Sequence, residues 1–495
     1  MQQQTTNVST PRPITIAILA MGGEGGGVLA DWIVDLGEHN GYIAQTTSVP
    51  GVAQRTGATI YYVELFPRAA AQAAGARPVL ALMPLPGDVD LVLASELMEA
   101  ARAVQRGLVT PDRTTLVAST HRVYAIAEKV ALGDGRADAA ALLATAQAAA
   151  RRFVGFDMAA LADGQGSVIS AVLFGALAAT GALPFTREQF AATIQRGGVG
   201  VASSLKAFDA AWQRTTQGEP PAPPPPGFVL PRSPSAEVQA LIERAAREHG
   251  GEALPVVVEG LRRLVDYQDA AYADLYLDRL AAAPAGAALR QELARHLALW
   301  MSYEDTIRVA DLKTRDTRFE RVRSEVKATD DQVLQFSEFM HPRAQEIAET
   351  LPAGLGRWLL GSPAVRGWVE RLAGHGRVVT TSGLPGFVLL WVLAGLRRWR
   401  RGTLRFALEN ARIEAWLADV AQVAANSPAL ALEIVRCQRL VKGYGDTHER
   451  GLANFERLRR AWRAGPMDAA RLARLREAAL ADEQGAALSA ALAEG

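Results

Sequence analysis

The chain has 495 residues and a mass of 52.8 kDa, with 53 basic against 52 acidic side chains and 49% hydrophobic residues. That apolar content excludes disorder throughout, the charge balance argues against a dedicated nucleic-acid binder, which needs a basic excess, and the length suits roughly two to four domains. The single cysteine, Cys437, excludes a disulfide framework, an all-cysteine zinc site and an iron–sulfur cluster held by this chain alone.

The polar stretch Met1 to Pro13 carries one arginine and no apolar core, so no secretory signal is expected there. Ile14 to Ala20 reads as a continuous apolar strand, followed by a glycine-rich turn and a helix from Gly26 to His39. Tyr42 to Val49, Ala58 to Leu65, Val89 to Leu93 and Thr115 to Ala118 read as further strands, with helices over Ser95 to Arg106, Ala139 to Arg152 and Ser167 to Thr180. Thr186, with Gln189 three residues on, forms a capping box before another helix. Alternating strands and helices predict an α/β domain with a mostly parallel sheet covered on both faces.

Thr215 to Ser235 includes Pro220, Pro221 and Pro223 to Pro226, a composition that reads as an extended linker. The expected organisation is an α/β domain over 1–214, a Pro-rich linker over 215–235 and an all-α domain over 236–495. In the last, Ala236 to His249, Leu261 to Leu280, Leu289 to Leu312, Leu404 to Ala424 and Ala429 to Val441 space apolar residues at helical period, and Met467 to Glu494 is Ala-rich and amphipathic. Val378 to Leu396 is uncharged, but its strictly apolar part, Phe387 to Leu396, is too short to cross a bilayer and predicts a buried helix. A cytoplasmic protein without a membrane span is expected. The arginine run Arg397, Arg398, Arg400 and Arg401 reads as a solvated helix end, and the mixed charges from Tyr303 to Arg323 as an exposed, ion-paired helix.

The turn Gly22-Gly23-Glu24-Gly25-Gly26-Gly27 directly follows the first strand and opens the first helix. Such glycines permit a tight turn and let a ligand approach bare backbone, and the helix amides present an anion site. A dinucleotide-binding unit needs an acid about 20 residues on, yet no Asp or Glu lies between Glu38 and Glu64. A P-loop needs Gly-Lys-Ser/Thr, and the first lysine of the chain is Lys129. Between the second and third strands, Gly51-Val52-Ala53-Gln54-Arg55-Thr56-Gly57 is a polar, glycine-flanked loop. Loops at strand ends of open α/β sheets bind ligands, and an arginine fork there suits phosphate or carboxylate as well as capping a turn.

Taken together, Gly22-Gly23-Glu24-Gly25, Gly51 to Gly57, Asp88 to Glu96 and Ala171 to Leu177 resemble the γ-type domain of 2-oxoacid:ferredoxin oxidoreductases. Tyr303 to Ala310 and Lys442 to Arg450 resemble the helical extension of long indolepyruvate ferredoxin oxidoreductase β subunits. The chain departs from the usual pattern at Ala20, at Glu24, where glutamine is customary, and at Thr56. The resemblance implies a β subunit supporting oxidative decarboxylation of indolepyruvate or another arylpyruvate. A large α subunit would carry thiamine diphosphate, Mg and [4Fe–4S] clusters, ferredoxin would take the electrons and coenzyme A the acyl group. A dimer of heterodimers is implied, with no activity in this chain alone. The residues implied to face coenzyme A or the subunit interface are Gly22, Gly23, Gly25, Gln54 and Arg55, and none is implied to be catalytic. Gly133-Asp134-Gly135 is followed by no Asn before Asn410, so a diphosphate–metal cradle is not expected here. Rival readings are a Rossmann-like nucleotide oxidoreductase acting alone and a pure scaffold.

The seven histidines are spread without a His-x3-His turn, so no metal site is expected. No Gly-x-Ser-x-Gly elbow anchors a hydrolase triad. Ser167 reads as the N-cap of the apolar helix that follows it, with a place facing a partner's cofactor as the alternative. The glycines of Lys442 to Asp446 read as an inter-helix turn at a domain or subunit contact.

Overall fold

A computed structural model describes residues 12–49, 58–130, 135–218, 228–282, 286–326, 328–329, 331–340, 343–373, 377–482 and 484–494. The chain divides into two compact units, Met1–Pro225 and Pro226–Gly495. The proline run 220–227 and the loop with Gln54 and Arg55 lie outside the described residues.

In the first unit the order is β1 (Ile14–Met21), α1 (Gly26–His39), β2 (Tyr42–Val49), β3 (Ala58–Pro67), α2 (Arg68–Ala74), β4 (Leu91–Ala94), α3 (Leu97–Gln105), β5 (Thr115–Ser119), α4 (Ile126–Val130), α5 (Ala139–Ala149), β6 (Arg152–Phe156), α6 (Met158–Gly164), α7 (Ile169–Thr180), α8 (Arg187–Arg196) and α9 (Val201–Gln217). The six-stranded sheet runs β2-β3-β1-β4-β5-β6. β1, β4, β5 and β6 are parallel, while β3 pairs antiparallel with both β1 and β2. β1 is buried along its length except at its ends, as a strand packed on both faces must be.

β6 departs from the expected helix reaching Arg152. The helix stops at Ala149, and Phe153, Val154 and Phe156 pair with β5 instead. This five-residue strand abuts an alanine-rich helix, so its β-favouring side chains had too short a run to show a period. α7 is apolar all round and almost wholly buried, with Phe174 stacked among Trp32, Phe190 and Phe208. Gly175 lets α9 approach closely, since a Cβ there would lie 2.3 Å from the Phe208 carbonyl oxygen. Ser167 does not cap α7: the N-cap residue is Val168, which supplies no side-chain bond, and Ser167 Oγ has no hydrogen-bond partner. The Thr186–Gln189 capping box is present.

The second unit is helical from residue 236 onward. Its helices are α10 (Ala236–Glu248), α11 (Leu254–Tyr267), α12 (Ala270–Ala281), α13 (Ala287–Met301), α14 (Thr306–Thr314), α15 (Asp316–Glu325), α16 (Ala344–Thr350), α17 (Ala353–Gly361), α18 (Pro363–Ala373), α19 (Leu384–Gly395), α20 (Leu404–Ala424), α21 (Pro428–Arg436), α22 (Gly445–Ala464), α23 (Ala469–Ala481) and α24 (Ala486–Ala493). A short antiparallel ladder, β7 (Ser337–Met340) with β8 (Arg377–Thr380), is inserted among them. Two long periodic stretches break where an aspartate caps a new helix: Asp269 accepts from Tyr272 N and Asp305 from Arg308 N. Gly485, at φ +74°, likewise separates α23 from α24.

Two expectations for this unit are overturned. α19 is not buried: Leu390 is its one fully buried residue, whereas Trp391 is 62% and Leu384 77% exposed. Its apolar stretch carries an outer face that the described residues of this unit leave exposed. The arginine run is no solvated end. Arg400 is buried and bonds Asp305 Oδ2 at 2.8 Å and the Tyr267 carbonyl at 2.8 Å, with its guanidinium 4.2 Å above the Tyr267 ring. Arg397 donates to the carbonyls of Val265 and Gln268. These arginines sew the 3₁₀ turn Leu396–Gly402 to the ends of α11 and α14. The mixed-charge stretch is correspondingly anchored rather than wholly exposed, with Tyr303 and Ile307 buried.

Candidate functional site at the glycine turn

The carboxyl ends of β1, β4, β5 and β6 lie on one side of the sheet, as parallel strands require. From β1 the chain turns through Gly22 to Gly25 into α1, whereas from β4 it leaves in the other sense toward α3 and β5. Connections that diverge in this way open a crevice at the strand ends, where ligands of α/β sheets bind.

Glu24 bridges that divergence. Its Oε2 accepts from Met21 N at 3.2 Å and from the Ser95 hydroxyl just past β4. Its Oε1 lies 3.8 Å from His121 Nε2, an ion-pair rather than a hydrogen-bond distance. His121 follows β5, and its Nδ1 is 2.7 Å from Ser119 Oγ, which also accepts from Met158 N. Burial raises the Glu24 carboxyl, but His121, Ser95 and Met21 outweigh it and hold the group below its usual range. The same carboxylate raises His121 above an ordinary imidazole, against the opposing effect of burial. The Glu24 carboxylate is thus tied down against the strand ends and faces the His121 ring, each favouring the charged form of the other.

With Glu24 so engaged, the start of α1 is left without a side-chain cap. The N-cap is Gly25, in the left-handed region at φ +73°, and the first turn contains no acid. α7 packs against α1 and also begins without a side-chain cap or an acid. Ser170, in the first turn of α7, is buried, and its Oγ has no hydrogen-bond partner. That oxygen is 3.0 Å from where a Cβ on Gly25 would sit. Two helix N-termini without side-chain caps therefore flank an orphaned hydroxyl, a donor set suited to an anion.

The three sequence-predicted glycines occupy this turn but differ in kind. Gly22 has ordinary φ and open space where a side chain would project; Gly23 is also open but sits at φ +91°; Gly25 is both left-handed and crowded by Ser170. Gln54 and Arg55 lie outside the described residues. Ser95, His121 and Ser170 were not singled out by sequence reasoning. Ser95 carried one signal, a serine directly after an apolar strand, whereas His121 looked like one of several scattered histidines and Ser170 like filler in an apolar helix. Among the described residues, no three His, Cys, Asp or Glu side chains gather as a metal site.

Residues 15–214 match the family model described as pyruvate ferredoxin/flavodoxin oxidoreductase. The glycine turn, Ser95, His121 and Ser170 all fall within that match. Residues 253–461 match a family of unknown function, DUF6537. A comparison with curated proteins finds no match. Among solved structures, the pyruvate oxidoreductase subunit PORC of Thermotoga maritima is 14% identical, with a TM-score of 0.29 and coverage of 42% of this chain and 96% of that one. A 2-oxoglutarate:ferredoxin oxidoreductase of Magnetococcus marinus, solved with 2-oxoglutarate, coenzyme A and succinyl-CoA bound, is 16% identical at TM-score 0.29, and the similarity covers 43% of this chain and 32% of that one. The γ subunit of a keto/oxoacid ferredoxin oxidoreductase of Geobacter sulfurreducens is 15% identical at TM-score 0.28, over 41% of this chain and 99% of that one.

Proposed function

We propose that the chain is the β subunit of a cytoplasmic 2-oxoacid:ferredoxin oxidoreductase acting on indolepyruvate or a related arylpyruvate. Thiamine diphosphate, Mg and [4Fe–4S] clusters would reside in a large partner subunit, ferredoxin would accept the electrons, and two heterodimers would associate. The family match over residues 15–214 supports the enzyme class, and the order of motifs along both units supports the arylpyruvate assignment. A single thiol, buried and pushed well above its usual pKa by that burial, leaves this chain no cluster ligands of its own.

In this reading the glycine turn holds the phosphates of coenzyme A. The observation that carries it is the orphaned Ser170 hydroxyl against Gly25, between two uncapped helix starts, with the nearby Glu24 carboxylate turned away and paired. Coenzyme A supplies the thiol that accepts the acyl group. The amides of α1 and α7, Ser170 and the Arg55 fork would fix its anionic end, and open space over Gly22 and Gly23 would admit it. The test is kinetic, in the complex formed by co-producing the chain with its thiamine-bearing subunit. Arg55→Ala is expected to raise the KM for coenzyme A about tenfold or more, as loss of a charge-assisted bond implies, while the complex still assembles. Unchanged coenzyme A kinetics in an intact complex would remove the assignment.

A further inference from the structure

Glu24 stands inside the turn from Gly22 to Gly25, beside the helix start and the Ser170 hydroxyl that form the anion donor set. A carboxylate loose in that turn would repel any anion entering it. Its two oxygens are held differently. Oε2 accepts from Met21 N and from the Ser95 hydroxyl, neutral donors that fix its direction and leave its charge. Oε1 faces His121 Nε2 at 3.8 Å, the ion pair that Glu24 makes among the described residues.

The His121 ring is oriented through its other nitrogen. Nδ1 lies 2.7 Å from Ser119 Oγ, which is itself fixed by Met158 N, so Nε2 is directed at the carboxylate. That pose survives a change of charge: a neutral ring accepts from the Ser119 hydroxyl at Nδ1, and a charged ring donates to it. Ser119 is fully buried, which removes a nucleophilic role for the serine itself. Two further acids face the ring from neighbouring elements, Asp157 at the N-cap of α6 and Glu96 at the N-cap of α3. Both are bound elsewhere, Asp157 to Ala160 N and Glu96 to Glu99 N, with Arg122 Nη1 3.8 Å from Glu96. Arg122 itself turns to Glu128, and the first turns of α1 and α7 contribute no acid. Glu24 has the largest influence on the ring, ahead of Asp157 and Glu96, and burial opposes all three. The His121 and Glu24 side chains are 17% and 18% exposed, so protons reach the pair from solvent.

We propose that His121 is a positioning residue for the anion site at the glycine turn: it holds the Glu24 carboxylate against the strand ends and cancels its charge, so that the charge on the imidazole sets the affinity for the coenzyme A phosphates. This deepens, and rests on, the reading of the turn as the phosphate site. With the ring charged, the pair adds no net charge to the turn; with the ring neutral, it adds one negative charge beside a polyanion. Affinity is greatest while the imidazole is protonated. It falls about three- to tenfold, the effect of one added charge at a partly exposed site, as pH rises through the ring's titration. By reciprocity, a bound anion holds the proton on the ring.

The experiment uses the complex of the full-length chain with its large subunit. The probe is desulfo-coenzyme A, whose missing thiol keeps thiol ionisation out of the pH profile. Between about pH 7 and 9 phosphate monoesters are already ionised, so a change in calorimetric affinity over that range reports the protein. Wild type should lose about three- to tenfold. His121→Asn, uncharged at every pH, should bind weakly and evenly across the range. Glu24→Gln should bind tightly and evenly, and the double variant should regain that tight binding, a rescue that a purely structural histidine would not show. One readout needs no variant: wild type titrated in buffers of different ionisation enthalpy should take up protons on binding above about pH 7. Flat wild-type affinity without proton uptake, or a folded double variant as weak as His121→Asn, would overturn the role of His121 and leave the phosphate site standing. No binding of desulfo-coenzyme A by wild type at any pH would overturn both.

Discussion

Ser170→Ala separates a ligand site from a merely structural turn, because the two roles pull in opposite directions. A buried hydroxyl without a partner costs about 1–3 kcal/mol of desolvation that nothing returns, and alanine is also the better helix former. With the hydroxyl unpartnered and 1% of the residue exposed, the substitution should stabilise the first unit by about 1 kcal/mol. In a unit of this size that raises its melting temperature by about 2–4 °C. A bound anion would lose one charge-assisted hydrogen bond worth about 1.5–3 kcal/mol, so affinity for coenzyme A should fall about 10- to 100-fold. Scanning calorimetry of the chain reads the first effect, and calorimetric titration of the assembled complex reads the second. A variant that melts lower yet binds coenzyme A as before would show that the hydroxyl supports the fold, and the reasoning would be refuted.

The glycines of the turn should rank by geometry rather than by position. Gly26→Ala places a Cβ 2.6 Å from Ala20 Cβ and 2.7 Å from Tyr61 Cε2, and overpacking of that kind costs about 1–3 kcal/mol. Gly22→Ala meets nothing within 4 Å and should change stability by no more than about 0.5 kcal/mol; equal melting temperatures for the two variants would contradict the turn geometry. Glu24→Gln removes the carboxylate that raises His121 and leaves burial, which lowers it. The imidazole titration followed by selectively labelled NMR should therefore move downward, although Asp157 and Glu96 still favour the protonated ring, and an unmoved midpoint would break the pairing. In wild type, the Glu24 contribution is present above about pH 4.5 and lost as pH falls through the lowered carboxyl pKa. The His121 contribution is present below about pH 6.5 and lost as pH rises through the raised imidazole pKa. Glu409, fully buried, is raised by burial but drawn down to about 2 by His448, Arg405 and Arg412. Its contribution to the second unit, about 3 kcal/mol, should be present above about pH 4.5 and disappear as pH falls toward 2. Urea unfolding read by tryptophan fluorescence, with Glu409→Gln showing a flatter acid limb, checks it.

Legibility followed period and burial. α1 and α20 match the residues expected from their apolar patterns because each buries one face along its length, and β2 matches although it is only half-buried. β6 was hidden beside an alanine-rich helix whose composition does not mark where it stops. The breaks at Asp269 and Asp305 were invisible to periodicity, since capping interrupts the backbone without interrupting the apolar rhythm. At the site, glycines announced the turn, but the groups that converge on it come from the ends of β4 and β5 and from the start of α7, residues 95, 121 and 170. Sequence spacing carries no trace of that meeting. The exposure of α19 was misjudged for a related reason: composition reports that a surface wants covering, not which polypeptide covers it.

The charged interior of the helical unit constrains how that unit can be built at all. Helices rich in alanine and leucine can slide past one another by a turn at little cost, as their surfaces repeat. Arg400 cannot slide, because its guanidinium is matched at once to the Asp305 carboxylate and to both the main-chain oxygen and the ring of Tyr267. Glu409 of α20 is fastened likewise to Trp300 of α13. Displacing α20 by one step would strand several desolvated ions together, so the ionic interior acts as a key that admits a single alignment of otherwise interchangeable helices.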